Sequence, residues 1–186
     1  MKQNLKGLHY LRFMSMVFFD ELMNNLPNSS GGQRKLWAQK IVDEKQDLET
    51  LCDLLNEEYK IASRFAWLLS DVGIYNNTSL FSLLPLLFEK RSSIKTFPFE
   101  ESLIKYWTIC FIPEEQEGEA LNLLFENLNS PNTKVHIKGL VVSLLFKLSQ
   151  KYPDIKAELV ICLKEELDKN SEAFQKKAFK ILEKLL

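Results

Sequence analysis

Ile137, Leu140, Val141, Leu144, Leu145 and Leu148 recur at i, i+3, i+4, i+7, i+8 and i+11. That spacing lays all six on one stripe of an α-helix. Phe174, Ala178, Ile181, Leu182 and Leu185 repeat the pattern near the C-terminus. The chain has only six Gly and six Pro in 186 residues, whereas an all-β fold would need a turn every ~8–12 residues. Long helices with sparse punctuation follow, and the apolar share of 46% is ample for a domain with a substantial core.

The punctuation that exists is well placed. Leu26 to Gly32 combines Pro, Gly and polar turn formers and reads as a linker between an N-terminal helix (residues 1–32) and a helical domain (residues 33–186). A short helix is expected around Arg34–Asp43, followed by four helix pairs. Their first members lie near Asp47–Asn56, Ser79–Lys90, Glu117–Leu128 and Ile155–Asp168. The partners lie near Glu58–Tyr75, Pro98–Ile112, Asn132–Tyr152 and Ser171–Leu186. First members therefore recur every ~32–38 residues, a period typical of helical repeats whose pairs must stack to cover their apolar faces. Ser130-Pro131-Asn132-Thr133 opens one partner helix, and Tyr152-Pro153-Asp154 closes it and starts the next, because Pro lacks the N–H that a helix interior uses.

Several function classes are disfavoured by composition. Cys52, Cys110 and Cys162 are isolated and odd in number, which reads as packed thiols in a reducing compartment. His9 and His136 have no His or Cys neighbour at metal-ligand spacing, so no metal and no cofactor are expected. Lys2 and Lys6 precede an apolar run from Phe13 to Phe19, but Asp20 and Glu21 close it without a small-residue cleavage pattern. The run is far shorter than the ~20 residues of a membrane span. An amphipathic or capping helix is expected there, with a start of translation at Met23 as an alternative. A cytoplasmic protein with no membrane partner follows, and the net charge of −1 gives no whole-chain attraction to nucleic acid. Phosphate-binding loops, dinucleotide turns, nucleophile elbows and metalloprotease helices are all missing from the sequence.

Leu83-Leu84-Pro85-Leu86-Leu87 resembles the first helix of a HEAT repeat, whose proline bends that helix. Ser130 to Lys138 resembles the turn within such a pair, followed by an early basic residue in the second helix. Arg64, Lys105, Lys138 and Lys177 fall near that basic position in their own helices. The resemblance covers residues 47–186 and implies an all-α fold, an α-α superhelix of about four HEAT-like pairs with an extra N-terminal helix. Arg64 to Leu69, Tyr152 to Leu159 and Ser171 to Ala178 are similar to a family of small bacterial helical-repeat proteins often labelled adenylosuccinate lyase. Those lyases carry a Ser-rich loop running into Met-Pro-x-Lys-x-Asn. Here Ser29-Ser30-Gly31 runs into Gly32-Gln33-Arg34, so the lyase activity is not carried over.

Two patterns point to binding. First members are acidic, whereas the later partner helices are basic through Lys134, Lys138, Lys147, Lys151, Lys176, Lys177, Lys180 and Lys184. Second helices line the concave surface of a HEAT stack, so a basic groove is one expectation and ordinary solvated lysines the other. Lys60, Arg64, Trp67 and Asp71 also share one helix face at i, i+4, i+7 and i+11. That stripe is similar to HEAT-like DNA glycosylases of the alkylation-repair type. The resemblance implies that Trp67 offers a π face to a cationic base and Asp71 stabilises charge on the sugar. A core Trp beside a surface charge cluster is the simpler alternative.

The leading expectation is a non-enzymatic scaffold holding a protein or peptide, with Lys60, Arg64, Trp67, Asp71, Lys105, Lys138 and Lys177 as binding residues. A nucleic-acid-binding protein or glycosylase is the second.

Overall fold

A computed structural model describes residues 16–186. Lys2, Lys6, His9, Arg12 and Phe13, and the expectations resting on them, lie outside the described residues. The described chain is helical with no strand, and it divides into two compact units that meet in sequence between Phe111 and Ile112. No helix among the described residues is long and apolar enough to cross a membrane.

The first unit begins with α1 (residues 16–25) and α2 (Gly31–Asp43). The segment between them is a tight turn rather than a free linker. Leu26 is buried in a 3-10 turn, and the Ser30 side chain caps α2 by accepting from Gln33 N at 3.1 Å. Gly31 and Gly32 form the first helical turn, so these glycines mark a helix start. Trp37 Nε1 donates to Glu21 Oε1 at 2.9 Å, and Lys40 Nζ lies 4.5 Å above the Phe18 ring. Later residues of α2 thus meet earlier residues of α1, so the two helices run antiparallel. Phe18 and Leu22 are buried in the core.

Next come α3 (Leu48–Leu51), which passes into a 3-10 turn over Cys52–Asn56, and α4 (Tyr59–Tyr75). Asp47 starts α3 by accepting from Thr50 N. The helix expected over 79–90 is broken into α5 (Asn77–Phe81) and α6 (Leu84–Lys90). Pro85 is the cause, since it has no N–H to give to the Phe81 carbonyl and its ring crowds that oxygen. The unit closes with α7 (Phe99–Cys110).

The centre of this unit is α4, which packs against α2 and α7 and also against the Cys52–Asn56 turn and α5. Ile61, Phe65, Leu68, Leu69 and Val72 are buried for that reason. Tyr106 OH donates to the Ala66 carbonyl at 2.7 Å, and Ile109 Cγ2 lies 3.2 Å from where a Cβ on Gly73 would fall. Both contacts advance in the same direction along α4 and α7, so these helices run parallel. The α2–α4 contacts behave the same way, because Arg34 meets Trp67 and Asp71 while Asp43 meets Tyr75.

The second unit holds α8 (Glu117–Asn129), α9 (Val135–Lys151), α10 (Lys156–Glu166) and α11 (Glu172–Leu185). Glu114 and Glu117, which open α8, clamp Lys151 at the end of α9 at 3.0 and 2.6 Å, and Tyr152 OH donates to Glu117 at 2.6 Å. The pair α8/α9 is therefore antiparallel. Lys177 on α11 donates to the Gly139 carbonyl of α9, and Lys184 lies 5.7 Å from the Phe146 ring. Both links join residues 38 apart, so α9 and α11 run parallel and in register.

Candidate functional site

The stripe expected on α4 is present and faces outward. Lys60 and Trp67 are exposed, while Arg64 and Asp71 are partly covered. Trp67 is 45% exposed, and Trp37 and Trp107 are buried. The core-Trp alternative is thereby excluded for Trp67. The Arg64 guanidinium carbon lies 4.6 Å from the Trp67 ring centroid, and that of Arg34 lies 5.3 Å away. Trp67 is flanked by two guanidiniums, Arg64 from its own helix and Arg34 from α2.

Arg34 also carries the partner that sequence reasoning assigned elsewhere. Its Nε is 3.4 Å from Asp71 Oδ2, and both side chains are largely covered. The contact is ionic rather than hydrogen-bonded, since neither atom has a hydrogen-bond partner. Arg34 Nη1 reaches back to the Ser29 carbonyl at 3.5 Å. Asp71 is thus neutralised within the fold, where the glycosylase resemblance needs a free carboxylate facing a cation. Arg34 was missed because it precedes residue 47, where the expected helix pairs begin. Its separation from Trp67 and Asp71 falls within the ~32–38-residue recurrence expected for such pairs, which is the signal that could have located it.

The other expected residues fall into three situations. Lys105 is exposed on α7, beside α4 in the same unit. Lys138 is buried in the second unit, where its ammonium donates to Glu166 Oε2. Burial pushes the Glu166 carboxyl upward, but hydrogen bonds from Lys138, Lys169 and Asn170 outweigh it and hold the group below its ordinary value. Lys177 is half-covered against Gly139, and burial lowers its pKa. These two lysines bind their own fold and do not join the α4 stripe.

The basic layer shrinks for the same reason. Of its eight lysines, Lys138, Lys151 and Lys177 are bonded inside the unit, and Lys184 lies over Phe146. Lys176 and Lys180 stay exposed. A groove built on helix charge counts alone loses much of its charge.

Burial pushes the Cys52 thiol up to about 12 and that of Cys110 to about 11, and it raises Cys162. All three are free and buried, as packed thiols should be. A polar cleft of about 460 Å³ lies at the α1–α2 turn, walled by Asn24, Asn25, Asn28, Ser30 and Gln33. The Glu21 carboxylate at its edge already binds Trp37 and Lys40. Among the described residues, no cluster of three His, Cys, Asp or Glu side chains is placed to hold a metal ion.

Comparison with protein-family models, with curated proteins and with solved structures gives no match.

Proposed function

We propose that the chain is a non-enzymatic binding or scaffold protein of HEAT-like helix pairs that holds a protein or peptide on the outward face of α4. The observation that carries this is Trp67, half in solvent and flanked by the guanidiniums of Arg64 on its own helix and Arg34 on α2. An indole is costly to leave exposed, and Trp and Arg are enriched among the residues that anchor protein interfaces. Tyr59, Ile74 and Tyr75 are also exposed on α4, giving the face apolar area along its length.

The HEAT-like reading is supported by the parallel packing of α2, α4 and α7, and of α9 and α11. Partner helices of successive repeats pack in that way. The cytoplasm fits the three packed thiols.

The test is selection of displayed random peptides on the full chain, with Trp67→Ala as the counter-target and circular dichroism as the check on folding. Peptides of micromolar Kd, about −8 kcal/mol, that weaken roughly tenfold on Trp67→Ala are the expected result. Selected peptides indifferent to Trp67 would overturn the assignment. So would duplex DNA binding that is steeply salt-dependent and lost in Arg64→Ala.

A further inference from the structure

Acidic residues outnumber basic ones between residues 16 and 111, so cations there have ample chance to pair. Lys40 pairs with Glu21, Lys90 with Asp53 and Arg34 with Asp71. Lys60 and Arg64 stand outside these pairs, as do Lys35, Lys45, Lys95 and Lys105, and are set apart by sharing a face with Trp67. Among the described residues neither has a carboxylate within ion-pair distance, although Glu57 and Glu58 stand just before α4. The two cations are one helical turn apart, on the same face as Trp67.

Arg64 is also pre-set. Its guanidinium rests 4.6 Å from the indole centroid, which restricts a side chain that otherwise loses much rotamer freedom on pairing. A ligand carboxylate meeting an already placed fork loses less entropy than one that must order it. Along the helix axis Lys60 and Arg64 are separated by about 6 Å, and Trp67 follows about 4.5 Å further on. Alternate side chains of an extended peptide repeat every ~6.5–7 Å. Two acidic side chains in an acid-x-acid order therefore match the Lys60–Arg64 step, and an apolar side chain beyond them reaches Trp67 and then Ile74.

We infer that the Lys60–Arg64–Trp67 face is the seat of an acidic peptide segment, two carboxylates spaced by one residue and followed by apolar side chains. The inference rests on the protein-binding reading above and names its ligand class. A nucleic-acid backbone fits less well. Tight phosphate binding draws on roughly six to ten cationic contacts, whereas this face offers Lys60 and Arg64 in a unit with an excess of acid.

The probe is an acetylated peptide amide containing Glu-Ser-Glu-Ser-Leu-Ser-Leu, with a twin in which both Glu are Gln. Titration calorimetry on the full chain is run at low and moderate salt. The Glu peptide is expected to bind about tenfold tighter than its twin at low salt, from two ion pairs worth roughly threefold each. That advantage should shrink to about twofold at moderate salt, where the screening length falls to ~10 Å. Lys60→Gln/Arg64→Gln should erase the advantage, so that the variant binds the two peptides alike.

Equal binding of the two peptides would overturn the acidic assignment while leaving the α4 face a peptide site. Failure of both, with Trp67-dependent peptides still recovered from the library, would overturn it in the same way. Failure of both with no such peptides recovered would remove the site itself. Competition by duplex DNA that displaces the Glu peptide stoichiometrically would overturn the choice of a peptide over a polyanion.

Discussion

Replacing Lys138 by Met takes away the ammonium that faces Glu166 in the second unit. The two side chains are 5% and 4% exposed, so the interaction is an interior one and solvent screening is slight. Removing one member of such a pair typically costs about 3–5 kcal/mol, because the survivor stays buried and charged. The survivors are not equivalent here. Without Lys138, Glu166 keeps Lys169 Nζ at 3.1 Å and Asn170 Nδ2 at 3.0 Å, so the loss should sit at the low end, about 3 kcal/mol. Without Glu166, the Lys138 ammonium has no other acceptor among the described residues. Glu166→Leu should then cost nearer 5 kcal/mol. The double variant Lys138→Met/Glu166→Leu removes both charges together and should return to within about 1 kcal/mol of the parent.

Urea unfolding followed by far-ultraviolet circular dichroism at pH 7 measures the cycle. Tryptophan emission does not serve, since Trp37, Trp67 and Trp107 all lie in the first unit. Additive losses in the double variant would refute the pairing, and a reversed order of the single variants would refute the role given to Lys169 and Asn170. An acid leg adds a check on sign. The folded Glu166 pKa lies below its ordinary 4.5, so its stabilisation is present above 4.5 and is lost as pH falls through the depressed folded value. The gap between parent and Glu166→Leu should accordingly narrow as the pH is lowered from 7 to about 3.

Three further outcomes are expected. Gly73→Ala places a Cβ 2.3 Å from Leu80 Cδ2 and 3.2 Å from Ile109 Cγ2, so overpacking of about 1–3 kcal/mol should outweigh the helix-propensity gain. Gly139→Ala meets nothing within 4 Å and should raise stability by up to about 1 kcal/mol; thermal unfolding of the two variants side by side gives opposite signs if the packing is right. Lys45 adopts φ 53° just past α2, with its N–H on the Val42 carbonyl and that of Gln46 on the Ile41 carbonyl. Lys45→Gly should therefore stabilise by roughly 0.5–1 kcal/mol in urea unfolding, since that αL position suits glycine. The three thiols should resist a disulfide reagent at pH 8 in the native chain and react together in denaturant; fast native labelling of Cys52, whose pKa is about 12, would contradict its burial.

The helices themselves were readable because apolar spacing and proline act locally. Residues 137–148 and 174–185 announce their stripes, and the α8 to α11 boundaries follow from Pro131 and Pro153. Local reading failed where a residue type admits two uses. Gly31 and Gly32 look like a linker but form the first turn of α2, because Ser30 supplies the cap. The end of α2 carries no glycine to mark it, because Lys45 takes the left-handed position itself. Pro85 looked like a bend within one helix and separates two, since the Ser82–Leu83 turn absorbs the lost hydrogen bond.

The charged residues show why the candidate site was harder to read than the helices. A lysine count per helix gives sign but not direction. In α9 and α11 direction is set by parallel packing, which brings Lys177 to the Gly139 carbonyl and Lys184 to the Phe146 ring at one constant offset. Those cations join neighbouring helices and cannot also meet a ligand at full strength. On α4 the same logic works in reverse. Arg34 on α2 pairs with Asp71, the only acid among Lys60, Arg64, Trp67 and Asp71, leaving Lys60 and Arg64 without an internal carboxylate among the described residues. The cations best placed to act on a partner are those to which no neighbouring helix offers an acceptor, and that difference moves the proposed site from α9 and α11 to α4.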